Sequence, residues 1–449
     1  MADSKKGGVS GIIEKYLMPV ATTLSRFKPL IAIRDGITTT IPLIIVGSFF
    51  MILANFPVAA WTAWIGSVSM HGVALLSIFT KITNGSFGLL GLIGCFGIAS
   101  SYAEQHNTDG KSAGIIAVAS YFVVTPSIFT GGKAPAEGMP YDFLGSKGLF
   151  VGIIIGLLAG GIFQWFINHD VQIHMPDSVP PAIGKSFSAL IPGFAIITLF
   201  GAVYALFSWT GMGNIHLLIM HVLSKPLGLL GDTLGGTLVI TFLNSAFWFV
   251  GIHGANVVNN MIQPVWLMNS GANLKLAQAG KLSLDHGAHI ITEPFIDNFV
   301  FMGGGGATLG LVLGIGILVL MHRSSKQLET LAPLTIVPGL FNINEPTMFG
   351  MPIVLNMTLI IPFILAPMWN TLTTYIVMAT GLVPLTTGTM VSWTMPPIIS
   401  GFLTTNSFAG ALIQIFNIVI DTLIYLPFLL VVNKSQKIEE AGQAAEDAA

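Results

Sequence analysis

The sequence predicts an all-α, polytopic membrane protein, and three features of the chain lead to that class. Charged residues make up 8% of the 449 residues and the mean hydropathy is +0.79, whereas about 25% of the residues of an average soluble domain are charged. Apolar stretches recur along the chain, each near the roughly 20 residues that a bilayer-spanning helix needs. They are continuous and do not alternate with period two, which favours helices over a β-barrel. The net charge of −2 argues against a nucleic-acid partner.

Basic residues lie at both ends of the apolar region. By the positive-inside rule we expect both termini in the cytoplasm and therefore an even number of spans. The basic residues that precede or open the first apolar run are Lys5, Lys6, Lys15, Arg26, Lys28 and Arg34, and those after the last run are Lys434 and Lys437. We predict about ten transmembrane helices, at 37–54, 67–82, 86–103, 113–130, 148–167, 187–209, 234–262, 306–322, 353–380 and 405–432.

The polar stretches divide the chain into two membrane halves. Residues 168–186 are rich in charge and proline, so we interpret them as an interfacial connector. The residues after the last span are predicted to be solvated and without fixed structure. The five parts are 1–36 (cytoplasmic N-terminal segment with an amphipathic element), 37–167 (five-helix N-terminal half), 168–186 (connector), 187–432 (C-terminal half) and 433–449 (cytoplasmic tail).

Two segments of the second half are apolar yet broken by proline and glycine. They cover residues 289–308 and 331–352, and each contains a Glu-Pro step, at Glu293 and at Glu345. Irregular backbone at membrane depth is tolerated only where protein or a water-filled cavity surrounds it. Paired interrupted segments also point to a transporter binding site. We therefore predict two re-entrant hairpins.

Glu345 is the only Asp, Glu, Lys or Arg between residues 330 and 420. A charged side chain in the bilayer interior costs about 2.5–3.5 kcal/mol on translocon scales, so it needs a cavity, a partner or a ligand. Asn342 and Asn344 lie beside it and Pro346 follows it. Carboxylate and amide groups match a ligand made of hydroxyls. The alternative is a hairpin tip that reaches the aqueous interface, where the carboxylate costs little.

A second polar group lies in "FWFVGIHGANVVNNMIQPVW", residues 247–266. His253, Asn256 and Asn260 have the spacing that places side chains on one helical face, and Trp248 lies upstream. A sugar site needs an aromatic ring to stack on the pyranose and amides to meet its hydroxyls. We therefore predict that this face contributes to sugar binding. The alternative for His253 is a hydrogen-bonded histidine between helices.

A third candidate is the stretch "TTGTMVSWTMPPIISGF", residues 386–402, with Trp393 at its centre. The alternative for Trp393 is an interfacial anchor. The four glycines 303–306 do not form a phosphate loop, because no Lys-Ser/Thr follows and no strand is predicted before them. His286 and His289 lack a third ligand at metal-binding spacing, so we predict no metal and no cofactor. Cys95, the single cysteine, is interpreted as a small buried hydrophobe.

Several stretches resemble enzyme IIC, the membrane component of the bacterial phosphoenolpyruvate-dependent sugar phosphotransferase system. The resemblance is closest to its lactose/cellobiose/N,N'-diacetylchitobiose family. One departure is Met357, where the family pattern has a proline. The stretches that carry it are "LIAIRDG", "MPDSVPPAIGKSFSALIPG", "FWFVGIHG", "GLFNINEPTMFGMPIVLN" and "WTMPPIISG".

The resemblance implies a function. Such a protein, in the plasma (inner) membrane of a bacterium, binds a disaccharide and passes it to a phosphocysteine on a separate cytosolic enzyme IIB. It is expected to be a homodimer in contact with membrane lipid, with the first five spans at the interface and the sugar in the second half. The positions that match the family's sugar site are Trp248, His253, Asn344, Glu345 and Trp393.

Phosphoryl transfer requires a sugar hydroxyl, expected to be the 6-OH, to attack phosphorus. A base is therefore needed to accept the proton of that hydroxyl. Glu345 is our candidate for that catalytic base, and His253 for the group that orients the hydroxyl. The sugar-binding set adds Trp248, Asn256, Asn344 and Trp393, and a β-linked disaccharide is the expected substrate. The sequence leaves two alternatives open: a proton-coupled sugar symporter that uses Glu345 as proton carrier, and a membrane enzyme that acts on a lipid-linked sugar.

Overall fold

The computed structural model describes residues 26–56, 58–130, 136–176, 178–211, 213–249, 254–351, 353 and 356–447. Helices make up most of this part of the chain, as the composition predicts. The amphipathic element predicted within residues 1–36 lies mostly outside the described residues, as does His253. In chain order the elements up to residue 168 are α1 (Lys28–Thr38), α2 (Ile41–Ala54), α3 (Ala59–Ser67), β1 (Ser69–Met70), β2 (Val73–Ala74), α4 (Leu75–Phe87), α5 (Leu90–Glu104), α6 (Gly110–Val124), β3 (Ile128–Thr130), β4 (Ala136–Gly138), α7 (Tyr141–Leu144), a 3-10 turn (Ser146–Gly148) and α8 (Leu149–Asn168).

The second part of the chain is also helical, but its helices are interrupted more often. Its elements are α9 (Pro181–Ser188), α10 (Leu190–Thr210), α11 (Ile215–Gly231), α12 (Leu234–Phe249), a π-helical turn (Ala255–Asn259), α13 (Asn260–Gln278), a 3-10 turn (Leu284–His286), α14 (Glu293–Phe295), a second π-helical turn (Ile296–Val300), α15 (Leu309–Leu320), α16 (Lys326–Leu340), α17 (Glu345–Gly350), α18 (Met357–Ala379), α19 (Ile399–Thr405) and α20 (Phe408–Asp447).

Six helical stretches within the described residues are long and apolar enough to cross a membrane, which confirms a helical membrane protein. Three shorter apolar helices, α6, part of α12 and α15, accompany them. All nine overlap predicted spans, while the count of ten stays a prediction. The six stretches are Lys28–Ala54, Leu75–Glu104, Ser146–Asn168, Pro181–Thr210, Thr358–Ala379 and Phe408–Gln443.

Two small antiparallel hairpins depart from an all-α fold. Strands β1 and β2 pair at the start of the predicted span 67–82, so that span is wrong at its N-terminal end and the helix begins only at Leu75. The two residues between the strands, His71 and Gly72, both have positive φ, which is the backbone of a tight hairpin turn. The second hairpin pairs β3 with β4.

Polar side chains cap the N-termini of several helices. Asp109 accepts a hydrogen bond from the backbone of Ser112 at the start of α6, and Asn214 accepts one at the start of α11. Ser325 and Asn356 do the same for α16 and α18. Such a cap satisfies backbone N–H groups that have no partner within the helix, and contributes about 1 kcal/mol.

Glycines let α8 pack closely against α5 in the first half. A Cβ added at Gly152 would lie 2.5 Å from the Gly91 carbonyl oxygen, and one at Gly156 would lie 2.9 Å from the carbonyl oxygen of Cys95. Small residues one turn apart allow this close approach of membrane helices. Cys95 lies in the same contact, is fully buried and donates to the carbonyl of Ala117 at 3.7 Å, as a small buried hydrophobe would.

Helix is present in part of the predicted connector and in most of the predicted tail. Helix begins again at Pro181, inside the predicted connector 168–186. The prediction that the tail is unstructured is wrong for most of its length, because α20 continues to Asp447. The Asn433 carboxamide oxygen accepts from the Ser325 backbone at 2.7 Å, and Gln436 accepts from the Ser325 hydroxyl at 2.7 Å. These bonds hold the start of the tail against α16.

Both proline- and glycine-broken segments contain breaks in the helix, as predicted. In the first, α14 and its π-helical turn end at Val300, and residues 301–308 form a glycine-rich loop before α15. In the second, α16 ends at Leu340 and residues 341–344 form a turn before α17. Pro333 and Pro338 lie inside α16 without ending it. The re-entrant path of these segments through a bilayer stays a prediction.

The loop at 301–308, called the glycine loop below, is buried between α18 and α20. Gly306 has φ +80°, and a Cβ there would lie 2.2 Å from the Phe363 ring. On the other side the Tyr425 hydroxyl donates to the Gly306 carbonyl at 2.6 Å. The loop therefore has no room for a side chain at this position.

We expect Gly306→Ala to lower the free energy of unfolding by about 2 kcal/mol or more, because alanine must take a left-handed backbone and displace an aromatic ring. Thermal unfolding of the purified protein in detergent measures the change. Gly201→Ala in α10 is the matched control, since a Cβ there meets nothing within 4 Å. Equal melting temperatures for the two variants would contradict the tight fit of the loop.

Candidate functional site

The glycine loop joins the two broken segments through two asparagine side chains. The backbone N–H of Gly303 donates to the carboxamide oxygen of Asn342 at 2.6 Å. The carboxamide nitrogen of Asn344 donates to the carbonyl of Gly305 at 3.0 Å. Both asparagines are buried. The turn that precedes Glu345 is therefore fixed against the loop that follows the first Glu-Pro segment.

Trp248, near the C-terminal end of α12, lies against the same loop. Its side chain is buried, with 6% exposed. A Cβ added at Gly305 would lie 2.7 Å from the indole Nε1 of Trp248, and one at Gly304 would lie 2.8 Å from Cγ of Asn344. Trp248 and Asn344, two of the predicted sugar-binding residues, thus meet at neighbouring glycines although 96 positions separate them (344 − 248).

Trp393 reaches the same region through its backbone. The carboxamide nitrogen of Asn342 donates to the carbonyl of Trp393 and, at 3.2 Å, to that of Met395. The Trp393 indole is 44% exposed, so it remains free to cover a ligand. Asn342 itself has φ +61°, a conformation that asparagine adopts more readily than most residues. It is the residue that links the glycine loop with the Trp393 segment.

Glu345 is the first residue of α17 and its side chain is exposed, while Asn344 and Thr347 on either side are buried. Its carboxylate makes no hydrogen bond and no ion pair with the residues that the structure describes. The position in the first turn of a helix is favourable for a negative charge. Exposure removes the cost of an unpaired buried carboxylate and leaves both oxygens available. That Glu345 lines a substrate cavity stays a prediction.

The predicted helical face around His253 lies partly outside the described residues. Within the predicted span 234–262 the described elements are α12 up to Phe249, the π-helical turn 255–259 and the start of α13. The shared face that α-helical spacing implies stays a prediction for Asn256, in the π-helical turn, and Asn260, at the start of α13. Their backbone is described, whereas their side chains and the whole of His253 lie outside the described part.

Asn259, which the sequence analysis did not single out, bonds the π-helical turn to α12. Its carboxamide oxygen accepts from the Asn244 side chain at 2.8 Å. A Cβ on Gly254 would lie 1.9 Å from the Asn244 carbonyl oxygen, so residues 234–262 do not form one continuous helix. This packing places the start of the π-helical turn against Asn244 of α12, which lies four residues before Trp248.

The sequence analysis did not identify the glycine loop or Asn342 as parts of the candidate site. Gly303–Gly306 were considered only as a phosphate loop, which their flanking residues exclude. Asn342 was considered only as a neighbour of Glu345. The available signal was the co-occurrence of a glycine run in one broken segment with an Asn-x-Asn-Glu turn in the other, since backbone carbonyls in a side-chain-free loop need amide donors.

Two cavities that the described residues form lie away from the proposed sugar residues. One of about 400 Å³ is lined by residues 122–127 and 203–215, and none of its lining residues is charged. Another of about 290 Å³ includes Thr387 and Thr389 from the third predicted segment. The proposed sugar residues line neither, so their assignment depends on the contacts of the glycine loop and not on cavity size.

The family profile of the phosphotransferase system EIIC matches residues 34–367. The lichenan permease IIC component of Bacillus subtilis is 39% identical over 96% of this chain and 95% of its own length. The cellobiose-specific EIIC component of Geobacillus stearothermophilus is 37% identical over 96% of this chain and 95% of its own length.

A solved structure has the same fold. The crystal structure of ChbC, the IIC component of the N,N'-diacetylchitobiose-specific phosphotransferase system, superposes with a TM-score of 0.87 at 36% identity. It covers 96% of this chain and 99% of its own. A match of this extent in sequence and in backbone identifies the family: the chain is a member of the EIIC family of the sugar phosphotransferase system.

Proposed function

We propose that this EIIC protein binds a β-linked disaccharide of the cellobiose or diacetylchitobiose type and carries it across the membrane for phosphorylation by phospho-IIB. The substrate class is supported by the relatives named for lichenan, cellobiose and diacetylchitobiose. The observation that carries the proposal is the meeting of Trp248, Asn344 and the Trp393 segment at the glycine loop.

The chemistry of these groups suits a neutral sugar. An indole face stacks on the apolar face of a pyranose ring, and an exposed carboxylate accepts hydrogen bonds from hydroxyl groups. Asn344 and Glu345 are consecutive, so the hydrogen bond from Asn344 to the glycine loop also fixes the position of the Glu345 backbone. In this proposal His253 and Asn256 also contact the sugar.

Glu345 acts as the catalytic base of the proposed transfer. The carboxylate takes the proton of the sugar 6-OH while the hydroxyl oxygen forms a bond to phosphorus. The sulfur–phosphorus bond of the phosphocysteine on IIB breaks, and the cysteine leaves as thiolate. His253 orients the attacking hydroxyl, and the indoles hold the ring in line with the phosphoryl group.

The architecture that accompanies this function has ten spans and two re-entrant hairpins. Residues 37–167 form the interface of a homodimer, and residues 187–432 hold the sugar. Both termini face the cytoplasm of a bacterium, where IIB is found. The connector 168–186 separates the two halves and the tail 433–449 lies on the cytoplasmic side.

We expect Glu345→Gln to retain sugar binding and to lower the rate of sugar phosphorylation by roughly 10²–10⁴-fold, which is the usual contribution of a general base. Binding is measured by calorimetry on the purified protein, and phosphorylation in vesicles supplied with phospho-IIB. Glu439→Gln, which removes an exposed carboxylate near the C-terminal end of α20, is the matched control.

The result also separates the proposal from a proton-coupled symporter. Wild-type-rate formation of sugar phosphate by Glu345→Gln would exclude the base assignment. Accumulation of free sugar that needs a proton gradient and no IIB would exclude the phosphotransferase mechanism as a whole.

Cys95→Ala should leave phosphorylation unchanged within about twofold and lower stability by roughly 1 kcal/mol, because the thiol is buried in the α5–α8 contact and only loses packing. The same vesicle assay measures this, with and without phospho-IIB. A variant that folds but forms no sugar phosphate would place the phosphocysteine on this chain instead of on IIB.

A further inference from the structure

Two carboxyl groups of the second half, neither of them among the proposed sugar residues, are paired with side-chain amides. Gln263 of α13 donates from Nε2 to Oε1 of Glu293 at 2.6 Å, and Glu293 is only 6% exposed. Asn370 of α18 donates from Nδ2 to Oδ2 of Asp421 at 2.9 Å, and Asp421 is fully buried in α20. The same arrangement of carboxyl and amide occurs twice.

In both pairs the remaining oxygens have no donor among the described residues. Oε2 of Glu293 and Oε1 of Gln263 are buried without a hydrogen-bond partner in that part of the chain, and so are Oδ1 of Asp421 and Oδ1 of Asn370. A buried acceptor that lacks a partner costs about 1–3 kcal/mol, and more if it carries charge. Each pair has two such oxygens, and one hydrogen placed between them would give both a hydrogen-bond partner.

No cationic side chain compensates these carboxyl groups in the described part of the chain, where neither forms an ion pair. The titratable groups beside them are acids. Asp297 lies four residues after Glu293 and acts on it electrostatically, and Tyr425 lies four residues after Asp421. The elements packed against the pairs contribute Gln263, Asn370 and the Gly310 backbone, none of which is charged.

We propose that each pair is a proton-binding site, in which the carboxyl group is a neutral acid whose O–H donates to the oxygen of the amide. One bound proton then gives a partner to both orphaned oxygens of a pair and removes the uncompensated charge. The amide and the acid exchange two hydrogen bonds, which is the fully satisfied state that buried polar pairs adopt. An alkali cation between the same oxygens is the competing occupant.

The Asp421 pair connects to the glycine loop. The Asn370 amide also donates to the carbonyl of Val300 at 3.2 Å, where the loop begins, and Tyr425, one turn after Asp421, donates to the carbonyl of Gly306. Loss of the Asp421 proton would place a charge next to the loop that holds Trp248 and Asn344. If the proposed function is correct, sugar binding then weakens when that proton is removed at alkaline pH.

The direct test is infrared spectroscopy of the full-length protein in lipid nanodiscs at neutral pH. We expect a carbonyl band of protonated carboxylic acid in the wild type, a partial loss of it in Glu293→Gln and in Asp421→Asn, and its absence in the double variant. Gln and Asn have the shape of the neutral acids and can donate to the partner amide, so the fold should survive. Glu439→Gln should leave the band unchanged.

The wild-type spectrum keeps the proposal falsifiable even if a variant fails to fold. Absence of the band at neutral pH, or its persistence in a folded double variant, would overturn the proposal. A melting temperature that rises with sodium or potassium chloride in the wild type but not in the double variant, with choline chloride as control, would assign the sites to an alkali cation instead.

The sugar-binding consequence has its own test. Calorimetric titration with cellobiose should show affinity falling at alkaline pH in the wild type and staying constant in Asp421→Asn. Because the infrared measurement needs no sugar, a protein that shows the acid band but binds no disaccharide contradicts the proposed function alone. A disaccharide-binding protein without the band contradicts the proton sites alone.

Discussion

The arrangement of the candidate site depends on the absence of side chains at four consecutive positions. Each glycine of the loop meets a different neighbour where a Cβ would stand, and three of the four have a left-handed backbone. The loop can therefore expose its N–H and carbonyl groups to amides from a distant turn. The neighbours that a Cβ at Gly303, Gly304, Gly305 and Gly306 would meet are Leu309, Asn344, Trp248 and Phe363, respectively.

The composition determined the fold class because a bilayer sets direct requirements on length and hydropathy. Each candidate span must be apolar over about 20 residues, and six described helical stretches satisfy this close to the predicted places. Two exceptions have local causes. A two-residue turn with positive φ at His71 and Gly72 begins a hairpin inside a predicted span. Helix-favouring residues, with side-chain bonds to Ser325, continue α20 through the predicted tail.

The sequence predicts which side chains belong to the candidate site, but it does not predict the backbone contacts that join them. Trp248, Asn344 and Trp393 were selected for their chemistry, and the structure brings their segments to one loop, although their role in binding stays a prediction. What joins them is mostly backbone: the carbonyls of Gly305, Trp393 and Met395. The positions of backbone carbonyls cannot be inferred from a pattern of side chains. The spacing argument assumed a regular α-helix, whereas Asn256 lies in a π-helical turn, and its common face with Asn260 stays a prediction.

The surroundings of the carboxyl groups separate two kinds of acid in this half of the chain. Glu293 and Asp421 are buried, each has a planar amide as its partner, and neither has a cation within the described residues. Such an acid is compatible with its surroundings when neutral. Glu345 has no amide partner there and its side chain is exposed, so both carboxylate oxygens are available to a ligand. A base that accepts a proton from a sugar hydroxyl must be ionised before the reaction. Of the three acids, Glu345 is therefore the one that the proposed transfer would use as its base, because its oxygens are neither buried nor bonded to an amide of the described residues.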